Sequence, residues 1–167
     1  MANRCYLYTT DNLPGSAEWT QNKGLRGVAE WNDDIPLVFQ ILLSGNPVAV
    51  RSSIWDSPHP LAIAGDSATG LRRLMDYLRL LPAQAEPLVA DTRAFFADAG
   101  KPGAYFVLEC REIYDYNDSG MAVQNGKIIS QIAAIGDDLA KLYLPEPAAA
   151  EPFVRRTLRR LLKLPPP

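Results

Sequence analysis

The clearest strand of the chain is AYFVLECREIY, residues 104–114. Its side chains alternate between two faces, with Phe106, Leu108 and Cys110 on one and Tyr105, Val107, Glu109 and Arg111 on the other. Because Glu109 and Arg111 are neighbours on one face, we expect an ion pair between them. The alternation predicts a single strand over the whole stretch.

Segments on both sides of this strand complete the predicted fold. Strands are predicted at residues 3–10, in PVAVRSS (47–53) and in LAIAG (61–65). One helix is predicted after the start signal of Asp33, Asp34 and Pro36, and a second runs from Asp66 or Ser67 to Pro82. Two more are predicted, one over about 87–99 and one along the 128–142 seam of apolar side chains. Strands and helices mix without strict βαβ alternation. The sequence therefore predicts a single α+β domain in which a small, largely antiparallel sheet packs against about five helices.

Length and charge distribution bound the domain organisation. A chain of 167 residues fits one domain. Residues 151–167 carry one acidic and five basic side chains, whereas the rest of the chain is net acidic. We predict an α+β core domain over residues 1–147. Over residues 148–167 we predict a basic amphipathic helix docked on that core.

Reactive side chains are sparse. His59 is the one histidine, and the two cysteines, Cys5 and Cys110, are 105 positions apart and form no CxxC pair. Tuned acid–base or metal chemistry usually draws on histidine, clustered cysteine or closely paired carboxylates. We therefore expect no catalytic residue, no metal site and no cofactor, in a protein that binds other molecules rather than an enzyme.

Neither a signal peptide nor a membrane span is predicted. The start, MANRCYLYTTDN, has no apolar run behind a basic stretch, and no segment approaches the roughly 18 apolar residues of a transmembrane helix. We expect a cytoplasmic protein without stable membrane insertion. The acidic body argues against nucleic-acid binding, and the sequence leaves the oligomeric state open.

Two acidic segments that also carry aromatic residues form the predicted partner-binding surface. The candidates are Trp31, Asp33 and Asp34 in the first segment and Tyr114, Asp115, Tyr116 and Asp118 in the second. Aromatic side chains act as rigid anchors in protein interfaces, and carboxylates steer a basic partner. A core tryptophan at a helix entry and a solvated turn are the alternative interpretations, and both stay open.

A second hypothesis rests on GDSATG, residues 65–70. The segment follows a predicted strand and opens a helix, where free N–H groups can hold an anion. Ser67, Thr69 and Arg72 would then bind a phosphate-bearing ligand, and the protein would be a small enzyme or a ligand-binding protein. The segment matches neither GxSxG nor a P-loop, and Asp66 and Ser67 also fit ordinary helix caps.

The opening MANRCYLY resembles the start of a loosely defined group of small bacterial proteins that begin MANRSYLY. The shared residues are Asn3, Arg4, Tyr6, Leu7 and Tyr8, whereas Cys5 stands where Ser is usual; a weaker similarity covers YFVLE (105–109) and EIY (112–114). Small acidic α+β proteins of this type are similar to the immunity proteins that neutralise secreted bacterial toxins. The resemblance implies a cytoplasmic protein that occludes the active site of a toxin.

Overall fold

A five-stranded antiparallel sheet organises the computed structural model, which describes residues 3–21, 23–98, 102–114 and 120–142. The strands are β1 (Arg4–Thr10), β2 (Arg26–Asn32), β3 (Val48–Val50), β4 (Ala62–Asp66) and β5 (Tyr105–Glu109). Their spatial order is β2-β1-β5-β4-β3, and every neighbouring pair is antiparallel. The fifth strand in sequence order, β5, therefore lies at the centre of the sheet between β1 and β4, and β2 and β3 form its edges.

Helices fill most of the connections between the strands. They are α1 (Ala17–Gln21), α2 (Leu37–Leu43), α3 (Ser67–Arg79), α4 (Glu86–Asp98), α5 (Arg111–Tyr114) and α6 (Met121–Ala133), with 3-10 turns at Ala83–Ala85 and Leu139–Lys141. Together with the antiparallel sheet they form one α+β domain, which confirms the predicted fold class.

The main core lies between one face of the sheet and the helices. Leu7 pairs with Leu108, which pairs in turn with Ile63, so three apolar side chains form a row across β1, β5 and β4. All three are fully buried, and they belong to one cluster with side chains of α2, α3, α4 and α6. Alternation along the strands directs this row inward, because side chains two positions apart share a face.

The opposite face of the sheet holds a second, smaller apolar cluster. It consists of Val50, Ala62, Ala64 and Val107, against which Tyr8 and Leu13 pack. The central strand β5 is thus buried on both faces, and its apolar neighbours on this side come from the adjoining strands and from Leu13 rather than from the long helices. Glu109 of β5 also faces this side of the sheet, two positions after Val107.

Several element boundaries differ from the predictions. The predicted strand over 104–114 ends at Glu109, and α5 follows it from Arg111. Residues 11–34, for which no element was predicted, contain α1 and β2. The 128–142 seam spans α6 and a 3-10 turn, with Gly136 (φ +57°) between them. The predicted helix over 148–167 lies outside the described residues.

Candidate functional site

The first predicted partner-binding segment and Glu112 of α5 lie at the same end of the sheet. The backbone N–H of Asp33 donates to the carbonyl oxygen of Asn3 at 2.6 Å, and the N–H of Arg4 donates to Glu112 Oε2 at 3.0 Å. The first residues of β1 therefore lie between the segment that follows β2 and the helix that follows β5. Strand order explains this placement, because β1 begins where its two antiparallel neighbours end.

We define the acidic end as Glu30, Asp33, Asp34 and Glu112. Asp33 and Asp34 are exposed, and no ion pair to either side chain is found within the described part of the chain. Glu30 lies 3.8 Å from Arg4 in an exposed pair, which contributes at most about 1 kcal/mol to stability. Carboxylates outnumber the basic groups that they contact here, so this end presents negative charge to solvent.

Asp33 has an unusual backbone conformation, with φ at +71°. Aspartate and asparagine tolerate this left-handed region better than most residues do. The predicted role of Asp33 or Asp34 as a helix cap is wrong, because α2 has Pro36 at its N-cap and no side chain caps it. The turn instead directs the chain from the edge strand into α2 while both carboxylates stay in solvent.

The predicted aromatic anchors are less accessible than the hypothesis requires. Trp31 is half-buried and packs against the main core, on the same side of the sheet as its register partner Cys5. Tyr114 is 1% exposed, which corrects the prediction that it is a surface anchor. The other candidates of the second segment, Asp115, Tyr116 and Asp118, lie outside the described residues.

Tyr114 belongs to a buried chain of hydrogen bonds. Its hydroxyl donates to Asn125 Oδ1 at 2.8 Å and accepts from Cys110 Sγ at 2.8 Å, while Asn125 Nδ2 donates to the Pro60 carbonyl oxygen at 2.9 Å. Burial raises the pKa of the Tyr114 hydroxyl above its ordinary value. This chain links α5, α6 and the segment before β4, so Tyr114 stabilises the fold.

The two cysteines meet in the core although they are distant in sequence. Cys110 follows Glu109, the register partner of Tyr6, and so lies next to Cys5 across β1 and β5. Both are free thiols with no exposed surface. Burial raises the pKa of Cys110 to about 12, and burial together with the nearby Cys110 raises that of Cys5 further. Neither sulfur is a nucleophile at neutral pH, because only the thiolate attacks.

The segment predicted to bind phosphate is occupied by its own hydrogen bonds. The Asp66 carboxylate caps α3 by accepting the N–H of Thr69 at 2.7 Å. Ser67 is buried, and its hydroxyl and N–H donate to the carbonyl oxygens of Gly103 and Ala104. Arg72 is held by Asp137 at 2.7 Å. A carboxylate at the helix start repels an anion, so this geometry favours the helix-cap interpretation.

The glycines of that segment serve packing. A Cβ atom at Gly65 would overlap the carbonyl oxygen of Leu43, and one at Gly70 would overlap that of Leu42. At Gly45 a Cβ would meet the Asp66 oxygen at 2.5 Å. The turn from β4 into α3 thus lies directly against the end of α2, and close backbone approach accounts for the glycine spacing.

An arrangement that the sequence did not reveal surrounds Glu109. This carboxylate is 1% exposed and accepts three hydrogen bonds from the loop after β3: Ser52 Oγ at 2.7 Å, Ser53 N–H at 2.6 Å and Ser53 Oγ at 2.7 Å. No described cation forms an ion pair with it. The expected Glu109–Arg111 pair is therefore wrong, and the Arg111 guanidinium lies 5.0 Å from the ring centroid of Trp55.

The same loop borders a cleft of about 380 Å³ beside α1. Its lining includes Arg51, Asp56 and two tryptophans, Trp19 and Trp55. Ser52 Oγ accepts the N–H groups of Ile54 and Trp55, which closes a tight turn beneath the cleft. The residues that line it come from segments far apart in the chain, so no local sequence signal identifies it.

Within the described ranges, no group of three or more histidine, cysteine, aspartate or glutamate side chains is placed to hold a metal ion. In the same ranges, every helix is too short or too polar to cross a bilayer.

Comparison with known proteins identifies a family. Residues 11–146 match the family model described as Domain of unknown function (DUF7822). The chain belongs to this family. No curated protein and no solved structure matches it significantly. The DUF7822 match includes the cleft, the 65–70 turn and all four residues of the acidic end. It begins after β1, whose first residues join the two halves of that end.

Proposed function

We propose that the protein is a protein-binding module whose acidic end contacts a basic surface of its partner. The observation that carries this proposal is the pair of hydrogen bonds at the start of β1. The carbonyl oxygen of Asn3 accepts the N–H of Asp33, and the N–H of Arg4 donates to Glu112. Asp33 and Glu112, about 80 positions apart in the sequence, are thereby brought to one end of the sheet. A continuous charged surface attracts a partner better than two isolated turns do.

Exposed carboxylates of this kind act mainly on encounter. Asp33 and Asp34 raise the association rate with a positively charged partner and disfavour acidic competitors. Tight binding also needs buried contacts, and the part of Trp31 that the core leaves exposed would supply one, two positions before Asp33 in the chain. With Tyr114 in the core, the aromatic contribution to the proposed surface is smaller than the sequence suggested.

The most specific form of this proposal is an immunity protein that occludes the active site of a bacterial toxin. Its support is the resemblance of the opening MANRCYLY to the small bacterial proteins described above, together with the acidic surface. Occlusion requires complementarity rather than catalysis, which suits a chain whose two thiols are buried and strongly protonated. A protein of this kind acts in the cytoplasm of the cell that it protects.

The test is co-expression with candidate toxins encoded beside its gene. The wild-type chain is expected to restore growth and to co-purify with one candidate in stoichiometric amount. A double variant, Asp33→Asn and Asp34→Asn, should lose both effects, since Asn keeps the backbone preference at the left-handed position. The matched control, Asp11→Asn and Asp91→Asn, removes two exposed carboxylates elsewhere and should behave as wild type. Rescue by both double variants alike would refute a role for the acidic end.

A further inference from the structure

The loop of residues 51–57 has no regular secondary structure, but side-chain contacts to β5 and α5 hold it in place. Glu109 accepts hydrogen bonds from Ser52 and Ser53, and Arg111 lies over the ring of Trp55. A buried carboxylate without a cation is costly unless hydrogen bonds satisfy it, as those from Ser52 and Ser53 do here. The same bonds hold the loop in the conformation that borders the cleft, as binding sites require of the elements beneath them.

The fixed loop presents two opposite charges to the cleft. Arg51 and Asp56 are both exposed and line the same cavity, yet within the described residues neither forms an ion pair with the other or with a third group. The stem of Arg51 lies against Gly15, where a Cβ atom would come within 3.1 Å of its Cγ and Cδ. Gly15 has φ at +91°, so glycine is favoured there on backbone grounds as well.

We propose that this cleft binds a small zwitterion, an α-amino acid, with its carboxylate on Arg51 and its ammonium group toward Asp56. Arginine binds carboxylates through a planar fork of N–H donors, and an aspartate accepts from an ammonium group. The indole of Trp55 lines the same cavity and offers an apolar surface to the ligand side chain. This site is separate from the proposed function, because none of the acidic-end residues lines the cleft.

Size and charge together select this ligand class. A cleft of about 380 Å³ is near the lower end of ligand sites, which run from about 300 to 1,000 Å³. A dinucleotide would exceed it. A simple anion would be attracted by Arg51 but repelled by Asp56. A simple cation would be attracted by Asp56 but repelled by Arg51. An α-amino acid carries an ammonium group and a carboxylate on the same carbon atom, so it offers one group of each charge to the two side chains.

The experiment uses the full chain and the twenty L-amino acids as probes. Binding is followed by tryptophan fluorescence, since Trp19 and Trp55 line the cleft, and by isothermal titration calorimetry for any probe that changes the signal. We expect saturable binding of at least one amino acid. Arg51→Gln and Asp56→Asn should each weaken it by about tenfold or more, because each removes a charge-assisted contact. Both residues are exposed, so neither change should unfold the protein.

Matched controls separate the proposed contacts from charge alone. Lys127→Gln and Asp91→Asn remove one exposed charge of each sign elsewhere and should leave the affinity unchanged. The N-acetyl derivative of the bound amino acid, which lacks the ammonium charge, and its amide, which lacks the carboxylate, should both bind about tenfold more weakly or worse. The proposal is overturned if no amino acid saturates the protein up to about 10 mM, if either derivative binds as well as the zwitterion, or if Arg51→Gln and Asp56→Asn retain wild-type affinity.

Discussion

The carboxylate of Glu109 accepts both the backbone N–H and the side-chain hydroxyl of Ser53, at 2.6 and 2.7 Å. Ser52 donates to its second oxygen, so one buried charge in the central strand fixes the loop between β3 and β4. The same charge acts on its surroundings, because burial and the nearby Glu109 raise the pKa of Tyr8. This face of the sheet thus combines a hydrogen-bonded buried carboxylate with the smaller apolar cluster, whereas the opposite face packs against the helices through the main core.

Replacing Glu109 by alanine should destabilise the protein strongly. The change removes three hydrogen bonds to a charged acceptor and leaves donors of Ser52 and Ser53 unsatisfied, at a cost of about 2–4 kcal/mol. Urea denaturation measures the free energy of unfolding. Glu30→Ala is the control, because Glu30 is an exposed carboxylate on the same sheet and its loss should cost less than about 0.5 kcal/mol. Equal stability of the two variants would show that the Ser52–Ser53 contacts contribute nothing.

Glycine substitutions distinguish packing from ligand binding in the 65–70 turn. Gly65→Ala and Gly70→Ala should each cost at least about 2 kcal/mol, because the added methyl group overlaps the backbone of α2. Gly126→Ala should stabilise the protein by about 0.5–1 kcal/mol, since Gly126 lies within α6 and its Cβ would meet nothing within 4 Å. Thermal unfolding of the three variants measures this difference. A neutral Gly65→Ala would contradict the close approach of β4 and α2.

The two thiols should be unreactive in the folded protein. Cys5 and Cys110 have no exposed surface, and burial keeps both protonated at pH 8. A chromogenic disulfide reagent should therefore label neither thiol within minutes in native buffer and both in concentrated urea. Rapid labelling in native buffer would place at least one cysteine outside the core.

Alkaline pH should destabilise the fold through the same groups. Below pH 9.0 the Cys110 thiol is protonated in both states, so it adds no pH dependence. From pH 9.0 to about 12 the unfolded chain loses this proton and the folded protein keeps it, so stability falls as pH rises, by up to about 1.4 kcal/mol per pH unit. Urea denaturation at pH 8 and at pH 10.5 should show a smaller decrease for Cys110→Ser than for wild type. Identical decreases would contradict the raised pKa.

Periodic, apolar elements could be predicted from the sequence. Alternation identified β1, a short apolar run next to a loop identified β4, and the 3.6-residue period together with Asp66 identified α3. β2 was missed because it is an edge strand with exposed Arg26, Gly27 and Glu30, which carry no apolar alternation. The stretch over 104–114 alternates throughout, but tertiary packing of Tyr114 converts its last turn into α5.

The candidate site could be predicted only in part. Trp31, Asp33 and Asp34 were identified by composition, whereas the role of Tyr114 was reversed, because its hydrogen-bond partner Asn125 is brought to it only by the fold. The serines that bind Glu109 are 56 and 57 positions away in sequence. Local patterns carry no information on such pairings, which depend on strand order.

The most direct test of the account is the affinity of the purified partner for two double variants of equal net charge. Asp33→Asn with Asp34→Asn alters the acidic end, and Asp11→Asn with Asp91→Asn alters exposed carboxylates elsewhere. The account predicts that the first pair weakens binding by about tenfold or more, mainly through slower association at low salt, while the second pair leaves it unchanged. Equal affinities of the two variants would contradict a partner-binding role for the acidic end.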